Sequence, residues 1–354
     1  MQDGVLVVRA DGSIYYYVRK SYQRAADESP LNQIYKMRSY RDMLSELPDN
    51  LGCVYLEANA MPVAMMQRFQ RVFTFEDMKP LDQVILTQRA VKDADELGLI
   101  RESGRQHQIV MNEIIPSLLQ EGMSETDFLA DLYQAMVKLG YQGLSRFGMF
   151  QMEMVVGQMG FGDHSMYPTN FDGPGGMRGM SPAVPIIGSR ERRLKKGDLV
   201  FVDVGYGVAG YHSDKTQVYS FGCKPSKEAA AAHTACRQVM KQLTDKLTAG
   251  AVPEQIHHEV SHNLPTGLTR DFMGVGEEAV RFFGHGVGLQ IDEMPVIAVK
   301  QKQPLLENMV VALEPKCGLP GAGMVGVEET FLVRQDKPEC LTGGDRDIMV
   351  VAGE

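Results

Sequence analysis

Apolar and polar positions alternate in short runs along the first ninety residues. Residues 4–8 and 13–18 are rich in Val, Ile and Tyr and flank Asp11-Gly12, which predicts a β-hairpin turning on that pair. Residues 35–47 read as a helix and residues 52–57 as a short strand. From about Arg89 the period changes. Residues 90–121 carry apolar positions at helical spacing and predict one long helix or two joined ones, stopped at Gly122. Ser124, with Asp127 three residues on, predicts a capped helix reaching about Leu139. Residues 157–188 are dense in Gly, Pro and Met and predict a long ordered loop, of the kind that carries function. Residues 199–205 and 217–222 read as strands, 225–247 and 253–263 as helices, and the remainder to about Val351 as sheet. The pattern therefore divides into a small α/β domain over residues 1–86 and an α+β domain over 87–354, with helices over a sheet.

Composition narrows the functional classes. The 354 residues are 44% hydrophobic and 23% charged, with a net charge of −9, ordinary for a soluble globular protein. An acidic surface repels nucleic acid and anionic lipid, so neither is expected as a partner. No run approaches the roughly 20 apolar residues of a membrane helix, and the N-terminus lacks the pattern of a signal peptide. Five scattered cysteines without a CxxC pair point to free thiols in the cytoplasm.

The informative residues are acids within apolar runs. Asp203 lies in residues 199–204, Glu314 in 309–315 and Glu328 in 324–333. A buried carboxylate is costly unless it is paired or binds a metal, and none of these runs contains Lys or Arg. Asp214 follows Asp203 at a spacing a hairpin can close, placing the two acids face to face. His285 sits among glycines in Gly284-His285-Gly286, where backbone can approach a crowded site. Four carboxylates would be balanced by two divalent cations, and an imidazole with oxygen ligands suits Mn, Co, Fe or Zn. Two such ions can share a bridging hydroxide as nucleophile.

In order and spacing these motifs resemble those of the M24 metallopeptidases with the pita-bread fold: methionine aminopeptidase, aminopeptidase P, prolidase and the metal-free creatinase. Asp203-Val204-Gly205 with Gly210-Tyr211-His212-Ser213-Asp214-Lys215-Thr216 is similar to the family's paired-Asp hairpin. Gly284-His285-Gly286-Val287-Gly288 is similar to its His motif, and Leu313-Glu314-Pro315 and Val327-Glu328-Glu329-Thr330 to its two Glu motifs. The N-terminal part resembles a shortened creatinase-type domain. The resemblance implies that Asp203 chelates one ion, Asp214 and Glu328 bridge two, and His285 and Glu314 hold the second. Glu314 would also handle the proton of the attacking water. It further implies two divalent ions per chain, Mn or Co before Zn or Fe, a short peptide substrate, and a homodimer.

Three positions depart from the proline-peptidase pattern. Ile186 and Asp292 stand where the family has His, and Gly326 where it often has Arg. Loss of one hydrogen-bond donor to the reacting group costs about 10²–10³ in rate unless another replaces it. Within the loop His164, Tyr167 and Asn170 are candidate replacements, with His164 and Asp292 placed beside Glu314 as the catalytic set. His212, two residues from Asp214, is expected on the same face of its strand. The expected activity is that of an Xaa-Pro aminopeptidase or dipeptidase. Alternatives are a C–N hydrolase for a non-peptide amide or unusual dipeptide, and a catalytically silent metal-binding module.

Overall fold

Gly12, at φ 85, turns the hairpin between β1 (Gly4–Val8) and β2 (Ile14–Val18), which pair antiparallel from Gly4↔Val18 to Val8↔Ile14. These belong to a computed structural model that describes residues 4–149, 152–169, 171–344 and 347–353. It divides into two compact units, Met1–Ile85 and Leu86–Glu354. In the first unit α1 (Tyr22–Glu28) leads to β3 (Ile34–Lys36), which adds in parallel to β2. The helix expected over residues 35–47 is thereby corrected. Tyr35 stacks on Tyr17 with ring centroids 5.3 Å apart, so the aromatic run is used as strand, and only a 3₁₀ turn (Tyr40–Ser45) follows. Asp42 Oδ2 starts that turn by accepting from Ser39 N at 3.1 Å. The strands β4 (Cys53–Leu56) and β5 (Asp77–Pro80) pair in parallel around α2 (Val63–Phe69).

In the second unit the predicted long helix is one rod in three parts: α3 (Ala94–Ile109), a π-helical turn (Val110–Ile114) and α4 (Ile115–Leu118). Asp93 caps it, accepting from Glu96 N at 2.9 Å, while Glu96 accepts from Asp93 N at 2.7 Å. Pro116 supplies the reason for the wide turn, because it has no N–H and its ring would strike the carbonyl four residues back. Ser124 opens α5 (Glu125–Lys138), its hydroxyl accepting from Asp127 N at 3.0 Å.

Two short strands, β6 (Ser145–Arg146) and β7 (Glu153–Met154), form a hairpin. A four-stranded sheet follows from β8 (Gly157–Phe161), β9 (Leu199–Val208), β10 (Tyr211–Phe221) and the C-terminal strand Met349–Val351. The loop expected over residues 157–188 thus begins as a buried strand. Gly157 allows this, since a Cβ there would collide with the backbone of Asp203. After α6 (Lys227–Thr244) and α7 (Pro253–Ser261) come β11 (Phe282–Gly286), β12 (Glu293–Ala298) and β13 (Val310–Leu313). These form a five-stranded sheet with β16 (Glu329–Leu332) and β17 (Glu339–Cys340), and the hairpin of β14 (Lys316–Leu319) and β15 (Gly323–Gly326) lies between them in sequence. A backbone bridge, Thr216 N to Glu328 O at 3.3 Å, joins the two sheets. The chemistry-bearing residues gather at this seam. Among the described residues no helix is long and apolar enough to cross a membrane.

Candidate metal centre and substrate cavity

The turn between β9 and β10 sets a register of Thr216↔Asp203 and Asp214↔Gly205. Asp203 and Asp214 therefore share a face as diagonal neighbours, not as the directly opposed pair expected from spacing alone. His285 comes from the middle of β11, whose neighbour β13 ends one residue before Glu314. Glu328 lies one residue before β16. The two Glu side chains thus leave from strand ends, where the chain can turn them into the seam.

All five expected ligand residues come together. His285 Nε2 is 3.5 Å from Glu314 Oε1, 3.7 Å from Glu328 Oε1 and 4.0 Å from Asp214 Oδ2. His285 Nδ1 lies 3.2 Å from the Gly286 carbonyl oxygen; donation there leaves Nε2 with its lone pair facing the acids. Crowding shows in the acidities. Burial, then Glu328 and Asp203, push Asp214 well above the usual carboxylate range. Burial raises Asp203 to about 6, with Lys316 opposing. Burial works against protonation of His285, but Glu314 and Glu328 outweigh it and raise its pKa.

One residue here was missed in the sequence. Lys316 Nζ donates to Asp203 Oδ2 at 2.8 Å, Glu314 Oε2 at 2.8 Å and Glu328 Oε2 at 2.7 Å. The acidic runs themselves contain no Lys or Arg, and the cation comes from the residue directly after Pro315: Lys316, which is fully buried. Its three carboxylate partners outweigh the cost of burial and hold its pKa well above the ordinary value.

The five residues line a cavity of about 390 Å³, within the usual range for small-molecule sites. Its other walls are mostly apolar, including Phe147, Met149, Met154, Phe171, Ile291 and Met294. Phe147 and Phe171 stack with centroids 5.5 Å apart and planes 8° from parallel.

Residues 98–335 match the metallopeptidase family M24, and residues 2–91 the creatinase/prolidase N-terminal domain. The chain belongs to metallopeptidase family M24. Its similarity to the Xaa-Pro dipeptidase of Pyrococcus furiosus is 22% identity over 348 residues, 98% of this chain and 89% of the relative. A probable dipeptidase, PepE, of Mycobacterium tuberculosis is 27% identical over 74% of this chain, which spans 61% of that relative's length. In structure the chain is similar to the prolidase from P. furiosus, with TM-score 0.77, 22% identity and coverage of 97% and 90% of the two chains. An X-Pro aminopeptidase from Thermotoga maritima gives TM-score 0.75 at 21% identity, covering 96% and 88%. The M24 chain has a creatinase-type N-terminal domain followed by the pita-bread catalytic domain.

M24 membership implies divalent metal, and the donor atoms gathered here bear on it. Glu328 Oε2 is used by Lys316 and by Thr216 Oγ1, the latter at 2.9 Å. Glu328 Oε1 is buried and has no hydrogen-bond partner among the described residues. Asp214, His285 and Glu328 each place one donor atom within 4.8 Å of the others. An orphaned carboxylate oxygen facing an imidazole nitrogen and two further acids fits one divalent ion. The place among Asp203 Oδ2, Glu314 Oε2 and Glu328 Oε2 is taken by the Lys316 ammonium.

The auxiliary positions in this M24 chain fall out differently. Asp292 lines the cavity, and its Oδ1 accepts from Gly148 N at 2.5 Å. Burial raises its pKa. His164 does not line the cavity. Its Nδ1 is 3.0 Å from Glu125 Oε2, a carboxylate that also accepts from Phe161 N and Ser189 N, so His164 is spent on the loop. Its placement in the catalytic set is corrected accordingly. Tyr167 is half exposed under the Arg178 guanidinium, 4.9 Å away, and Asn170 lies outside the described residues. His212 is buried between Gln142 Nε2 and the Gly288 carbonyl, each 2.9 Å away, and does not line the cavity. Ile186 packs on the apolar core. Gly326 has φ 140, and a Cβ there would lie 2.5 Å from the Pro315 carbonyl oxygen. From the same loop Phe171, Asp172 and Gly173 reach the cavity instead.

Proposed function

We propose that this M24 chain is a divalent-metal-dependent peptidase of the Xaa-Pro dipeptidase or aminopeptidase type, cutting the N-terminal bond of a short peptide. The observation that carries this is Glu328 Oε1, unpartnered among the described residues, facing His285 Nε2 at 3.7 Å in the wall of a largely apolar cavity. Asp214, His285, Glu314 and Glu328 hold the ion in this reading, and Asp203 steadies the cluster from the other side. A divalent ion supplies Lewis acidity to the scissile carbonyl and acidifies water. Glu314 Oε1, the oxygen not engaged by Lys316, takes the proton of the attacking water. The stacked Phe147 and Phe171 offer a flat apolar wall suited to a proline ring. Asp292, made harder to ionise by burial, is the polar group placed to meet the departing half of the substrate. Manganese or cobalt as the ion, the cytoplasm as the setting and a homodimer as the assembly belong to the same proposal.

The test is a panel of Xaa-Pro dipeptides, Xaa-Pro tripeptides and proline-free dipeptides, incubated with Mn and analysed for free amino acids. Proline-dependent release of the N-terminal residue supports the reading. Cleavage of none of them favours a second reading, hydrolysis of a non-peptide amide or unusual dipeptide. That second reading rests on Ile186 and Gly326: one is packed in the core and the other excludes a side chain. Neither supplies the donor a proline peptidase has there.

A further inference from the structure

The two glutamates of the centre divide their oxygens between two cations' worth of space. Glu314 Oε1 and Glu328 Oε1 face His285 Nε2, at 3.5 and 3.7 Å. Glu314 Oε2 and Glu328 Oε2 accept from Lys316 Nζ, at 2.8 and 2.7 Å. Asp203 Oδ2 completes the second group at 2.8 Å. An ammonium at hydrogen-bond distance from three carboxylate oxygens fills the position a cation would take among them, because a divalent ion would need the same oxygens at about 2.0–2.2 Å.

From this arrangement we infer that Lys316 replaces one of two metal ions, so that the centre binds a single divalent ion among Asp214, His285, Glu314 and Glu328. The inference rests on the metal-dependent reading above. Position and charge agree on it. Lys316 enters from β14, held by backbone pairing to Gly326 across the hairpin, so its ammonium is delivered by the fold. Lys316 and one divalent ion carry three positive charges against four carboxylates. A second divalent ion beside the lysine would bring five positive charges into the same buried space, and one in its place would have to expel a lysine with no exposed surface. Lys316 thus acts as a positioning residue, fixing one oxygen of each of Asp203, Glu314 and Glu328 and leaving the other oxygens of the two glutamates to the ion.

The experiment is the metal content of the whole chain, saturated with Mn(II), freed of unbound ion and measured by elemental analysis. Anomalous diffraction from crystals of the same material locates the ions. One Mn per chain, with a single peak beside His285 Nε2 and Lys316 still on its three carboxylates, is the expected result. Two Mn per chain, with a peak beside Asp203, overturns the inference and leaves the peptidase reading standing. No bound Mn overturns both. Lys316→Ala vacates the second position and is expected to double the content from one to two. A folded Lys316→Ala chain that still binds one ion contradicts the replacement. Should that variant fail to fold, the peak count in the unaltered chain decides. Because none of these readouts is catalytic, one ion without dipeptide cleavage supports the inference and counts only against the peptidase reading.

Discussion

Lys316 Nζ sits 2.7 Å from Glu328 Oε2, while the other oxygen of that carboxylate has no hydrogen-bond partner among the described residues. This asymmetry separates the acids of the centre into those that serve an ion and one, Asp203, that serves the lysine alone. His285→Ala removes a ligand and is expected to lose bound Mn. Asp203→Asn removes only a partner of Lys316 and is expected to keep one ion per chain. Elemental analysis of the two variants side by side checks this. Loss of the ion from Asp203→Asn would place Asp203 in the coordination sphere.

A second buried charge group stands near the cavity. Glu293 is bonded by Arg89 and by Lys92, the latter at 2.9 Å, and both Glu293 and Lys92 are almost fully buried. Glu293→Gln leaves a buried ammonium facing a neutral amide. Removing one partner of such a group costs about 3–5 kcal/mol. Urea unfolding should show a loss of that size at unchanged slope. A change below about 1 kcal/mol would mean that water reaches Lys92.

Stability is also tied to pH through His107. It is fully buried, with Nδ1 3.0 Å from Ser213 Oγ. Burial and then the Lys215 charge hold its pKa well below the ordinary value. The folded state therefore binds fewer protons than the unfolded one. Its contribution is complete above about pH 6.5 and is lost as pH falls, at about 1.4 kcal/mol per pH unit. Between pH 7.5 and 5, His107→Gln should lose less stability than the unaltered chain by that slope. Parallel stability profiles for the two proteins would contradict it.

At Gly326 a substitution tests backbone strain. Its φ of 140 is one that glycine adopts readily, and a Cβ would press on the Pro315 carbonyl. Gly326→Ala is expected to lower stability by about 1–3 kcal/mol and to weaken Mn binding, because Glu328 follows two residues later. Unchanged melting temperature and metal affinity would show that the segment relaxes freely.

How far the sequence revealed this centre depended on the kind of signal. Acids in apolar runs mark Asp203, Glu314 and Glu328, because burying charge is costly enough to leave a trace in one dimension, while hairpin spacing marks Asp214 and flanking glycines mark His285. Long periodic helices such as α6 were legible for the same reason of strong, repeated pattern. Tyr35 was misread because stacking on Tyr17, a tertiary contact, decides its conformation. The loop histidine His164 was misplaced because its partner Glu125 is 39 residues away in sequence. Lys316 was within reach: a lysine followed by Cys317, Gly318 and Leu319, one residue after an apolar acidic run, is itself a buried charge that needs partners.

The most direct measurement is kcat/KM for one Xaa-Pro dipeptide in three states: as purified with Mn, after chelation and dialysis, and after Mn is restored. Activity that falls at least a hundredfold on chelation and returns with Mn is the predicted result. Cleavage that persists unchanged in the stripped protein would contradict a metal-dependent peptidase.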